Sequence, residues 1–152
     1  MSEQTVFDSK EFRAIAKKTS KRGKRVNRKE ERIQTAVSKY IKIKYPKVIF
    51  NSDIASGIKL PIWLAGMAKA QRSSRGQPDL VIYEPRRGFH ALCIELKKDR
   101  ESVFKLDGGL KKDKHLEEQA EILKRLADKG YHAVFGCGFD HCREIIDWYL
   151  GE

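Results

Sequence analysis

"GQPDLVIYEPRRGFHALCIELKK", residues 76–98, reads as two strands around a turn, yet it sets Asp79, Glu95 and Lys97 where a buried hairpin calls for apolar side chains. Pro85, Arg86, Arg87 and Gly88 supply turn material between the two apolar runs. Opposed residues of a hairpin stand equally far from the centre of its turn. A turn centred on Arg87 therefore sets Asp79 opposite Glu95, Val81 opposite Cys93 and Tyr83 opposite Ala91. Side chains alternate along a strand, so all six share one face, and Lys97 joins them. Leu80, Ile82, Leu92, Ile94 and Leu96 form the other face, which is entirely apolar. Both strands are expected to be central and buried, with their polar groups gathered at one end of one face.

Directly opposed strand residues have Cβ atoms ~5 Å apart, and like charges at that distance repel. Protonation of one acid, neutralisation by Lys97 or a bridging divalent cation would each relieve the repulsion, but only the cation brings about two positive charges to the pair. Hard oxygen ligands favour magnesium or manganese. Lys97 would then lie near an activated water or a phosphate, placed to assist the nucleophile or stabilise developing negative charge. A solvated strand end needs no metal, and Asp79 alone would fit that description. The full pattern, a turn-Pro-Asp, two hydrophobic strands and a hydrophobic-Glu-hydrophobic-Lys run, does not.

The rest of the chain supplies the setting. Its 152 residues suit one domain with one core, and Trp63, Trp148, seven Phe and five Tyr give it apolar material without disulfides. The net charge of +11 favours nucleic acid or another polyanion as partner. Residues 1–29 hold ten Lys and Arg against Glu3, Asp8 and Glu11, so +7 of that charge lies there. "KKTSKRGKRVNRK" (17–29) has almost nothing to pack, so 1–29 reads as a mobile basic arm and 30–152 as the folded domain. The arm suits phosphate contact, solubilisation or localisation alike. No apolar run approaches the ~18 residues of a membrane span and no signal-peptide pattern opens the chain, so a soluble, cytoplasmic protein is expected. Cys93, Cys137 and Cys142 form no CxxC pair, and His141 with Cys137 and Cys142 matches no zinc spacing, so Cys93 and Cys137, both in strands, are expected to be buried thiols.

Apolar spacing predicts a helix through "EERIQTAVSKYIKIKYP" (30–46), a strand in "KVIFNSDI" (47–54) and a short helix near 63–71. After the hairpin come a helix in "DKHLEEQAEILKRLADKG" (113–130), a strand in "YHAVFGCG" (131–138) and a closing helix in "DHCREIIDWYL" (140–150). The segment 56–75 mixes Lys59, Lys69, Arg72 and Arg75 with Pro61, Ile62 and Trp63 just before Asp79, which suits DNA contact. Trp63 itself reads as a core residue rather than a stacking one. His90, His115 and His132 form no constellation, so no histidine base is assigned.

Pro78-Asp79 followed by Glu95-Leu96-Lys97 resembles the signature of the PD-(D/E)xK nucleases, and Gly76-Gln77-Pro78-Asp79 is similar to the Gly-x-Pro-Asp segment of the virus-type replication-repair nuclease domain, VRR-NUC. The resemblance covers roughly residues 30–136. It implies an α/β, restriction-endonuclease-like fold with a mixed central sheet flanked by helices. It implies also that Mg2+ or Mn2+ supports DNA cutting, and that some members act on branched DNA as homodimers. A first-helix Glu that completes the metal shell would be Glu30, which shares a face with Ile33, Val37 and Tyr40 or Ile41; Glu31 competes with it. The family pattern also picks out Gln119, on a stripe with Leu116, Leu123 and Leu126, as an inward polar group near the site. The implied set is Glu30, Asp79, Glu95, Lys97 and Gln119, with Glu30, Asp79 and Glu95 on one ion or two. The leading expectation is a structure-directed endonuclease, a Holliday-junction resolvase of phage or prophage type. An exonuclease or restriction-type nuclease with the same site, or a non-catalytic nucleic-acid-binding module, are the alternatives.

Overall fold

The computed structural model describes residues 28–53, 60–73 and 76–151. The chain runs α1 (Arg28–Lys44), β1 (Phe50–Ser52), α2 (Ile62–Ala70), β2 (Leu80–Ile82), β3 (Leu92–Lys97), a 3-10 turn (Arg100–Ser102), α3 (Lys114–Asp128), β4 (His132–Cys137) and α4 (Phe139–Leu150). Most of the expected basic arm, residues 1–27, lies outside the described residues. Arg28 and Lys29 belong to the first turn of α1, so the helix starts two residues before the expected boundary.

Four strands form one mixed sheet in the order β1-β2-β3-β4. β2 lies antiparallel to both β1 and β3, and β3 is parallel to β4 through the α3 crossover. The hairpin register is the one expected, with Leu80 opposite Ile94, Val81 opposite Cys93 and Ile82 opposite Leu92. Its turn differs. Arg87 (φ 51°) and Gly88 (φ 81°) both take positive φ between the bridged residues Arg86 and Phe89, so the centre lies between them rather than on Arg87. The strands absorb that offset by separating beyond Ile82 and Leu92. Tyr83 donates its N–H to Ile49 and His90 to Gly130, so the expected Tyr83–Ala91 pair is not part of the ladder.

Alternation fixes the layers. Leu80, Ile82, Leu92, Ile94 and Leu96 are all buried, and they pack with Val37 and Ile41 of α1 and with Cys142, Ile146 and Tyr149 of α4. Each such Leu or Ile contributes about 1.5–3 kcal/mol of burial. α3 covers the opposite face, with Leu116, Gln119, Ile122 and Leu123 turned inward. Asp113 caps α3, accepting from the Leu116 N–H at 2.9 Å, and Gly130 (φ 89°) ends it where expected. Cys93 and Cys142 are buried thiols, pushed up to about 11 and about 12 by burial, whereas Cys137, expected to be buried, is half-buried. No helix among the described residues is long and apolar enough to cross a membrane.

Candidate active site

β2 begins and β3 ends at the same corner of the sheet, and that corner collects the polar groups. Asp79, only 8% exposed, stands at the entry to β2, and its Oδ2 accepts the Leu96 N–H at 2.9 Å. Its carbonyl accepts the Asp53 N–H at 2.8 Å. The acid is thus clipped to the strands on either side. Glu95 is 2% exposed, on the face opposite Ile94 and Leu96, and turns under α3.

There it meets Gln119 and Lys97. Lys97 Nζ donates to Gln119 Oε1 at 2.7 Å and more weakly to Glu95 Oε1 at 3.4 Å. Gln119 Nε2 donates to the same Glu95 oxygen, closing a ring of three side chains. A buried amide has to satisfy both its ends, and Gln119 does so by steering the lysine with one and the acid with the other. Gly76 keeps the Gly-x-Pro-Asp loop close to this ring. Its φ of +78° suits glycine, and a Cβ there would meet the Gln119 backbone at 3.4 Å.

Glu95 Oε2 is buried with no hydrogen-bond partner among the described residues. Burial first, and the Asp79 charge second, push the Glu95 carboxyl up to about 8; Lys97 pulls the other way and Glu30 adds to the rise. A lone buried carboxylate oxygen, facing a second acid and a lysine already engaged, matches the donor chemistry of a magnesium or manganese ion. Among the described residues no three His, Cys, Asp or Glu side chains already form a metal cage. Asp79 and Glu95 are the acids in place. Glu30, half-buried in the first turn of α1, acts on Glu95 through its charge, the smallest of the influences on that carboxyl. Glu31 turns to a shallow surface hollow with Arg32, Thr35 and Lys39.

Of the expected DNA contacts, Lys69 is exposed on α2, while Arg72 is tied to the Asp53 carboxylate at 2.5 Å. Lys59 and Arg75 lie outside the described residues. Trp63 is not the core residue expected: it is 64% exposed. α1 and α4 fill one face of the sheet and α3 the other, leaving α2 with no buried residue at all. One polar cluster, Gln34 with Ser52 and Asp53, was not expected from the sequence. Gln34 Nε2 donates to Ser52 Oγ at 2.9 Å and to the Asp53 carbonyl at 2.8 Å, joining α1 through Asp53 to Asp79. The available signal was position, since Gln34 stands one helical turn after Glu30.

No protein-family model and no curated protein matches the chain. Solved structures do. One, named "VRR_NUC domain protein", is similar with a TM-score of 0.59 and 28% identity over 80% of this chain and 88% of its own. Another, named "VRR_NUC domain", aligns with a TM-score of 0.48 and 20% identity over 80% of this chain and 98% of its own. The first likeness takes in most of the chain and nearly all of its counterpart, and it supports a VRR-NUC domain with that family's nuclease fold.

Proposed function

We propose that the chain hydrolyses phosphodiester bonds of branched DNA, with Asp79 and Glu95 holding a magnesium or manganese ion and Glu30 completing its shell. The observation that carries this reading is the unpartnered, buried Glu95 Oε2 beside Asp79. The ion, when bound, supplies Lewis-acid polarisation of the phosphate and a nucleophilic water at neutral pH. The chain's own groups do the rest. Asp79, fixed by the Leu96 N–H, keeps one carboxylate aimed at the corner without paying entropy at each turnover. Lys97, held at 2.7 Å by Gln119, keeps its ammonium beside the acids, where it meets charge that develops on the phosphate. Lys69 adds a backbone phosphate contact. Two copies on a four-way junction would make paired nicks, in the manner of a resolvase at work in the cytoplasm of a bacterial or phage-infected cell.

The test is cleavage of end-labelled four-way junction, flap, stem-loop, duplex and single-stranded DNA in magnesium, manganese or EDTA. Asp79→Asn and Lys97→Ala guard against a contaminating nuclease. Metal-dependent cutting lost in both variants, with paired nicks at the junction, is the expected result. Salt-sensitive binding with no cutting of any substrate would leave a binding module instead.

A further inference from the structure

α2 is built the wrong way round for a helix of a folded domain. Ile62 is 93% exposed, Trp63 64% and Met67 51%, and no residue of the helix is buried. Trp63 and Met67 stand one helical turn apart, so they present a common apolar face to solvent. Both ends of the segment are anchored at the candidate active site. Asp53, where the chain leaves β1, donates its N–H to the Asp79 carbonyl at 2.8 Å. Arg72, just beyond the helix, pairs with the Asp53 carboxylate at 2.5 Å.

Charge selects what could cover such a face. Between Asp53 and Asp79 the sequence holds Lys59, Lys69, Arg72 and Arg75 and no acid. A second copy docked face to face here would set the same acid-free basic segment against itself, whereas two copies spaced apart on one DNA need no such contact. The complementary partner is a polyanion that also offers flat apolar surfaces. Paired duplex hides its base faces in the stack, whereas an unpaired nucleotide exposes both phosphate and π-face. We infer that α2 is a stacking platform for unpaired bases beside the cleavage site, with Trp63 lying on a base, Met67 flanking it and Lys69 on the adjoining phosphate. This rests on the nuclease reading for what happens next to the platform, and it narrows the substrate to DNA with unpaired nucleotides, such as flaps and open junction centres.

Trp148→Phe leaves Trp63 as the only tryptophan, and EDTA prevents cutting. Titrating that protein with a flapped duplex and a single strand should quench its emission, while a blunt duplex of the same sequence should not. Trp63→Ala should weaken flap binding about 5- to 150-fold, the range for loss of one base-aromatic stack. Trp63→Phe should restore most of that loss, and blunt-duplex binding should change less than about twofold. Equal weakening on every DNA, or an unquenched Trp63, would overturn the inference. So would a dimer in light scattering that Trp63→Ala splits with flap binding intact, since the face would then belong to a second copy. Quenching retained in a protein that cuts nothing would uphold the platform and refute the hydrolysis.

Discussion

Replacing Glu95 by Gln should make the metal-free protein more stable above neutral pH. The folded protein holds the Glu95 proton to about pH 8, against an ordinary value of 4.5. A carboxyl whose folded pKa lies above its unfolded one binds its proton more tightly in the native state. Its contribution is therefore whole below the unfolded value and is lost as pH rises through the folded value. At ~1.4 kcal/mol per unit the full loss is on the order of 5 kcal/mol, and about half of it falls between pH 6 and pH 9. In a chain of this size about 2–3 kcal/mol moves the melting temperature by roughly 5–10 °C. The amide of Glu95→Gln would keep the carbonyl that accepts from Gln119 and Lys97, but it carries no charge to bury. The assay is thermal unfolding by far-UV circular dichroism in EDTA, for wild type and Glu95→Gln, at pH 6, 7, 8 and 9. The difference between the two proteins should widen with pH in favour of the variant, while groups common to both cancel. A difference that stays flat across the series would refute the claim that Glu95 is a buried, proton-retaining acid.

Other outcomes follow from the same geometry. Manganese at pH 8 should raise the melting temperature of the wild type, and the gain should vanish in Asp79→Asn and Glu95→Gln, as calorimetric scans would show. Gln119→Ala should lower kcat about 10- to 100-fold with KM within about twofold, because Lys97 loses the acceptor that aims it rather than its charge; an unchanged kcat would remove Gln119 from the site. Asp147 accepts from Tyr40 at 2.5 Å and Tyr45 at 2.8 Å, so Asp147→Ala should cost about 1–3 kcal/mol in urea titrations. Burial works to raise the Asp147 carboxyl, but hydrogen bonds from Tyr40, Lys44 and Tyr45 together hold it below its usual value. Its contribution is therefore present above the unfolded value and lost as pH falls through the folded one. Gly136→Ala should cost about 1–3 kcal/mol, since a Cβ there would come 2.5 Å from Cys142 Sγ and 2.6 Å from Ile94 Cγ2.

The hairpin was legible because one buried face constrains its register. A slip of one residue would carry Asp79, Glu95 and Lys97 into the apolar layer, so alternation alone placed the pairs from Leu80 to Ile82. Gln119 was legible for a related reason, being a polar residue on the buried stripe of α3. The turn was less so: whether a centre falls on a residue or between two depends on positive φ at Arg87, which its side chain does not advertise. Trp63 was misread because a tryptophan's exposure depends on whether a sheet face is free to receive it, and both were filled by helices distant in sequence. The Arg72–Asp53 ion pair and the bond from Gln34 to the Asp53 carbonyl join segments far apart in sequence, and no local pattern encodes such a meeting.

The hydrogen bond from the Leu96 N–H to Asp79 ties chemistry to assembly. That N–H belongs to the strand that carries Glu95, so the aim of one acid depends on where the other's backbone lies. A molecule whose strands have zipped one residue out of step has no partly built site; it has none. Misassembled chains would therefore be harmless to DNA, and the proposed cutting activity would count the correctly paired fraction of a preparation as directly as any spectroscopic probe.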